Sequence, residues 1–332
     1  FSVLIDLVPE AEAAVYYGNS FDITSASYTT ATNNPLVVTD QEPIPRGLTL
    51  SPDGTRMYVI GLSGDAVYQF DLATANDLTT ATFTTETNNP FPVAGQTGFP
   101  LDVDFSTDGF KMFVLDGTSD EIYQYTLTTA FDVTTASVDV VDDNPLNVST
   151  EAPSSVAMAF SIDGTKLYVV DGNADEVNQF ELNTAFDITT ADYVARVNNP
   201  FSFIDDETSP QDIAFSPDGR FMFILGFEED GDVTQYVLSV PFDITTASLF
   251  TATGNPYDLS ALDGFTSGMA FSNDGSKMFT VVDFANSVFE HDLNLDGFEE
   301  SEDNDGAVTG QIDLFITGET FTNAGGTLTV DV

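Results

Sequence analysis

The chain has no cysteine, one histidine, and seven lysines and arginines in 332 residues. Without cysteine there is neither a disulfide framework nor thiolate chemistry, and the redox compartment stays open. The histidine, His291, stands where the other repeats described below carry Phe70, Tyr125, Phe180 and Tyr236, so it reads as a packed ring. One such residue leaves too few ligands for most zinc sites and no base for Ser-His-Asp or Cys-His catalysis within a single chain. Seven bases against 54 acids give a net charge of -47. With no cationic surface to displace counterions from phosphate, nucleic acid and anionic membranes are excluded as partners. No run of 18 apolar residues exists to form a membrane-spanning helix, and no stretch has helical periodicity. The first residue is Phe1 rather than Met, which suggests a processed or excised product.

What is present is enough to fold: 42% of residues are hydrophobic and 12% aromatic. The acids are dispersed along the chain, a pattern suited to solubility in saline or calcium-rich water and hence to a marine or halophilic surface protein.

A repeat of about 55 residues organises the sequence. Ser-x-Asp-Gly begins at Ser51, Ser106, Ser161, Ser216 and Ser272, in steps of 55, 55, 55 and 56. Phe-Asp-Ile-Thr or a close variant begins at Phe21, Asn76, Phe131, Phe186 and Phe242, and Asn-Pro falls at Asn34, Asn89, Asn144, Asn199 and Asn255. Within one repeat, alternating segments separated by Asp-Gly turns predict strands at Leu101 to Phe105, Lys111 to Leu115, Glu121 to Leu127 and Ala136 to Val141. The fold class is therefore all-β, a β-propeller of four-stranded blades. Six blades are favoured if Phe1 to Val8 and Ala14 to Tyr17 join Gln311 to Gly318 and Gly326 to Val332 in an extra blade; five is the alternative if only an outer strand near Ala26 to Ala31 is donated to the last repeat. The expected division is a propeller over 1–293, an acidic linker over 294–306, and a β segment over 307–332 that closes the ring or opens a further domain. Arg56, Lys111, Lys166, Arg220 and Lys277 follow the Ser-x-Asp-Gly turns, and pairing with the turn aspartates is the expected reason.

Ser51-Pro52-Asp53-Gly54-Thr55-Arg56-Met57-Tyr58-Val59, followed by Ala66-Val67-Tyr68-Gln69-Phe70-Asp71, resembles the YVTN-type propeller repeat of prokaryotic surface-layer proteins. With Phe186-Asp187-Ile188-Thr189-Thr190-Ala191 added, the unit is similar to propeller repeats in tail or fibre proteins of marine phages and in large secreted proteins of marine bacteria. The resemblance implies a propeller and an extracellular, cell-surface or virion setting; it implies little about activity.

Asp292 to Asp303 matches the calcium-loop pattern at its first, third, fifth, sixth and twelfth positions, with Asp303 in place of Glu. Calcium is the cofactor this predicts, with Asp292, Asn294, Asp296, Glu300 and Asp303 as side-chain ligands and Phe298 offering its carbonyl; the plainer reading is an acidic linker. The loops before each inner strand differ most between copies and carry Phe91, Phe201, Phe203 and Tyr257 beside carboxylates and amides, a mix suited to stacking on sugars or docking a protein. The same aromatics would also serve to cover blade edges.

These features predict a non-enzymatic extracellular or virion-surface propeller for adhesion, receptor binding or assembly. Its partner would be a cell-surface glycan, a protein receptor or neighbouring subunits. One alternative is a structural subunit of a phage tail or surface filament. Another is a metal-dependent lyase or lactonase, for which channel acids Asp102, Asp104 and Asp212 are the residues to inspect.

Overall fold

The structure, a computed structural model, describes residues 21–227, 231–262 and 264–293. In the second repeat, Pro100–Phe105 pairs antiparallel with Lys111–Asp116, which pairs with Glu121–Leu127, which pairs with Ala136–Val138. A two-residue strand, Leu146–Asn147, joins the other end of Glu121–Leu127. All five sheets repeat this order, and they form a five-bladed propeller. Blades 1 to 5 begin with inner strands Pro45–Leu50, Pro100–Phe105, Ser155–Phe160, Asp212–Phe215 and Thr266–Phe271.

The blade count is the five-bladed alternative, so the six-bladed expectation is corrected. The third strand of blade 5, Ser287–Asp292, is completed by Ser27–Tyr28 and Leu36–Val37 from the opposite end of the chain. The joint leaves no room for another blade. Thr266–Phe271 packs directly on Pro45–Leu50, and Ser267 Oγ donates to the Pro45 carbonyl at 3.1 Å. The other segments invoked for a sixth blade lie outside the described residues.

The apolar side chains form five clusters, one between each pair of adjacent blades. Blade 2 meets blade 3 through Phe113 and Phe160, whose rings are 4.3 Å apart. Tyr168 with Phe215 and Phe223 with Phe271 repeat that contact at 4.3 Å. Burying one such side chain contributes about 1.5–3 kcal/mol, so the ring is held mainly by packing between blades.

Each recurring phrase has a structural duty. Ser106 Oγ donates to Asp108 Oδ1 at 2.6 Å and accepts from Lys111 N at 2.9 Å, which shapes the Ser-x-Asp-Gly turn. Gly109 closes it at φ +72°, and a Cβ there would overlap the Phe131 ring of the linker. In that linker Asp132 accepts from Thr134 N and Oγ1 at 3.0 and 2.6 Å, capping the 3₁₀ turn Val133–Thr135. The Asn-Pro asparagine fills a gap in the sheet. Asn89 accepts from Gln69 N at 3.1 Å and donates to Gln69 O at 3.0 Å, between the points where Ala81–Phe83 and Phe91–Pro92 pair with the third strand. The Gln69 side chain in turn accepts from Val133 N of the next linker at 3.1 Å. Gln124, Gln179 and Gln235 repeat that link to Ile188, Ile244 and Ile23, and Glu290 carries it to Leu78, so the circuit runs around the whole ring.

The basic residues beside the turns do not mainly pair with the turn aspartates, contrary to expectation. Lys111 and Lys166 donate to the carbonyls of Phe186 and Phe242 in the next blade's linker at 2.8 and 3.0 Å. Arg56 reaches Ala130 O at 3.4 Å and Asp71 at 3.5 Å, and Lys277 binds Glu290 and Asp292; Arg220 to Asp218, at 3.8 Å, is the pairing that was foreseen. The turn aspartates are already occupied by serine hydroxyls and turn amides.

Candidate functional site

Two places in the ring gather chemistry: the central channel and the face that carries the loops joining second to third strands and the loops leading into each inner strand. The channel holds a cavity of about 380 Å³ lined by Asp102, Asp104 and Asp212 together with Thr49, Ala159, Ala214 and Ala270. The alternation of the inner strand places these aspartates there, and they are the three the sequence singled out for an enzymatic alternative.

Their hydrogen bonds define what they do. Asp102 Oδ1 accepts from Val103 N at 2.8 Å in its own blade, and Oδ2 accepts from Met158 N at 2.8 Å in the next. Asp212 does the same with Ile213 N at 2.7 Å and Met269 N at 2.5 Å. The inner strand is the unpaired edge of each sheet, so its amides need acceptors, and two aspartates serve four of them. The equivalent residues elsewhere are Gly47, Ala157 and Gly268. A Cβ at Gly47 would lie 2.8 Å from Asp102 Oδ1, and one at Gly268 would overlap the Arg46 carbonyl. Asp102 in blade 2 thus requires glycine at 47 in blade 1, while Gly268 makes room for the backbone of blade 1.

Burial raises the pKa of all three channel acids. Asp104 goes to about 7, opposed by the amides of Phe105 and Phe160. Asp102 is raised by desolvation first and also by the charge of Asp104, and Asp212 by desolvation first and then by the charges of Asp102 and Asp104. Among the described residues no lysine, arginine or histidine lines the cavity. Among the described residues no group of three His, Cys, Asp or Glu side chains is arranged to hold a metal ion.

The four aromatics expected to bind a ligand do not converge. Phe91 lies edge-on to Tyr125 at 5.7 Å, Phe201 to Tyr236 at 5.5 Å, and Tyr257 to His291 at 5.7 Å, each in a different blade. Phe203 is 1% exposed in the core. These residues sit on or just after the short strands that pair with the third strand, and pairing turns their rings inward. His291 is buried as foreseen, with Nε2 3.0 Å from Thr280 Oγ1, and burial pushes its pKa down to about 4. Of the calcium-loop residues, Asp292 ends the last strand and meets Lys277 Nζ at 2.5 Å. Asn294, Asp296, Phe298, Glu300 and Asp303 lie outside the described residues.

The same loops expose other side chains instead. Phe227 and Phe265 pack with ring centroids 4.4 Å apart and planes tilted by 49°, and the Arg46 guanidinium lies 5.2 Å over Phe265 while bonding to Asp283 at 3.2 Å. Asp283 N donates to the Phe265 carbonyl at 2.8 Å, and a Cβ at Gly264 would lie 3.2 Å from Phe284 Cβ, so Phe284 stands beside the segment that carries Phe265. Phe284 is 78% exposed, Phe227 37% and Ile44, two residues before Arg46, 37%. The patch joins blades 4, 5 and 1. Phe227 and Phe284 occupy loops between second and third strands, which length and spacing do not mark as variable; a phenylalanine one residue beyond the apolar run of each second strand, after Gly226 and Asp283, is the available signal.

No protein-family model matches the chain, and no curated protein matches it in sequence. Solved structures similar to it include one chain of a nidogen/laminin complex, with 15% identity, TM-score 0.44, and coverage of 75% of this chain and 76% of that one. A 6-phosphogluconolactonase candidate from Bacteroides uniformis aligns with 14% identity and TM-score 0.42, covering 73% of this chain and 65% of its own. A protein from Lactobacillus plantarum aligns with 19% identity and TM-score 0.38 over 62% of this chain and 54% of its own. The class that the strand order defines is the five-bladed β-propeller.

Proposed function

We propose that this chain is a non-catalytic recognition propeller of an extracellular or virion surface, and that its loop face holds the partner. The observation that carries the reading is the contiguous patch of Phe227, Phe265 and Phe284 around Arg46. A chain with net charge -47 has ample polar side chains for solubility, and large apolar groups kept at loop tips are what an interface core requires. The channel supports the same reading, because Asp102 and Asp212 spend their oxygens on backbone amides that join blades. Calcium at Asp292 to Asp303 belongs to this proposal as a linker-ordering ion.

The test is binding of the purified chain to candidate host cells and to a glycan array, in calcium and in EDTA. The expected result is binding that Phe284→Ser and Phe227→Ser reduce at least about tenfold, the range of a modest hot spot. Binding that both variants leave unchanged, or no binding in either condition, overturns the reading in favour of an assembly role.

A further inference from the structure

Apart from Arg46, the charged residues at the loop-face patch that the structure describes are acidic. All seven lysines and arginines can be placed: Arg56, Lys111, Lys166, Arg220 and Lys277 follow the turns of the opposite face, and Arg196 is on the outer rim, bound to Glu181 at 2.6 Å. Arg46 alone stands on the loop face, and it is engaged by Asp283 and the Phe265 ring. The loops leading into the inner strands of blades 1, 4 and 5, the three blades that make the patch, expose Asp40, Asp205 and Asp258. An anionic partner would meet these acids with no free cation to offset them, whereas a cationic one would be attracted on approach and left unpaired nowhere.

We infer that the occupant of the patch is a protein surface carrying an apolar or aromatic side chain ringed by lysine or arginine. This rests on the loop face being the recognition face. An apolar centre excludes water and a charged rim sets partner choice and association rate. Phe284 is the anchor, because it is the most exposed of the three rings and its removal disturbs no core packing.

The probe is an immobilised peptide alternating lysine and phenylalanine, with polylysine and an alternating glutamate and phenylalanine peptide as controls, read by surface plasmon resonance on the whole chain. The lysine and phenylalanine peptide is expected to bind, with an association rate that falls at least about tenfold between 0.05 and 0.5 M NaCl. Phe284→Ser should weaken it at least about tenfold while leaving polylysine binding unchanged. Asp40→Lys with Asp258→Lys should lower the association rate and flatten its salt dependence. If the glutamate and phenylalanine peptide binds equally well through Phe284, the inference about charge falls and the loop-face reading stands. If the lysine and phenylalanine peptide binds no better than polylysine, or Phe284→Ser changes nothing, the inference falls outright. A glycan bound through the same patch on the array also overturns it, since the recognition face would then be right and the partner class wrong.

Discussion

A single position shows how the repeats differ without the fold changing. The turn after the second strand has amides that need a carboxylate, and the chain supplies it from two different places. In blade 2 Asp116 accepts from Ser119 N at 3.1 Å, with Thr97 Oγ1 in support at 2.6 Å, and in blade 3 Asp171 accepts from Asn173 N and Ala174 N, both at 2.8 Å. Blade 1 has Gly61 at that place, and Glu42 reaches in from the preceding loop to accept from Ile44 N, Ser63 N and Gly64 N, each at 2.9 Å. Blade 4 has the same pairing of types: a Cβ at Gly226 would fall onto the Glu207 carboxylate. Glu42→Ala should therefore cost about 2–3 kcal/mol in urea unfolding, because it strands several partly buried amides that a charged acceptor had satisfied. Thr97→Ala, at the equivalent position but accepting from one amide, Phe99 N at 3.1 Å, besides supporting Asp116, should cost about 1 kcal/mol. Equal losses would show that the carboxylate does not act as described. This exchange was hidden in the sequence, where Glu42 and Gly61 are 19 positions apart and look like unrelated departures from the repeat.

At the scale of the element, the sequence made the strands, turns and linkers visible, since their periodicity and Asp-Gly punctuation are local properties. The joining of blades was not legible, because it depends on side chains that act across about 64 residues, such as Gln69 to Val133. The closing outer strand near Ala26 to Ala31 is visible in the sequence as the five-bladed alternative, whereas the side-chain links that help to hold the closed ring, such as Ile23 N to Gln235 Oε1 at 3.3 Å, have no local signature that favours it over six blades. Closure has one irregular member. Glu290 replaces the glutamine of the other four blades; its Oε2 accepts from Leu78 N at 2.7 Å and its Oε1 binds Lys277 Nζ at 2.6 Å. A buried carboxylate losing its cation costs far more than a neutral amide in the same place. Lys277→Met should thus destabilise the protein by at least about 1 kcal/mol more with Glu290 present than in the Glu290→Gln background, which restores the residue of the other blades. A double-mutant cycle in chemical denaturation measures this coupling, and a coupling near zero would mean that Lys277 serves only Asp292.

For the molecule as a whole, the channel acids and the surface charge act in the same direction with pH. Asp102, Asp104 and Asp212 have folded pKa values raised by burial, Asp104 to about 7, so between about 4 and 7 the folded state binds more protons than the unfolded one. Their contribution is fully present below their ordinary pKa and is lost as pH rises through their raised values, about 7 for Asp102 and Asp104. Lowering pH also reduces the self-repulsion of a chain with net charge -47. His291 opposes them: its pKa is depressed to about 4, so its contribution is present above about 6.5 and fades as pH falls toward 4. The turn aspartates Asp53, Asp108, Asp163 and Asp274, held below the ordinary carboxylate range by serine and turn hydrogen bonds against the opposing effect of burial, lose their contribution only in stronger acid. With three acids against one histidine, the protein should melt higher at pH 5.5 than at pH 8 in calorimetry. Asp104→Ala is the decisive variant, since alanine already stands at 159, 214 and 270, and blades 3, 4 and 5 therefore do without the carboxylate that accepts from Phe105 N in blade 2. Because Asp104 borders the open cavity, its replacement should raise stability at pH 8 by about 1 kcal/mol and narrow the difference between the two pH values. A variant that melts lower at pH 8 while keeping the full pH difference would show that Asp104 is ionised and needed in the ring, and would return the channel to consideration as a site of chemistry.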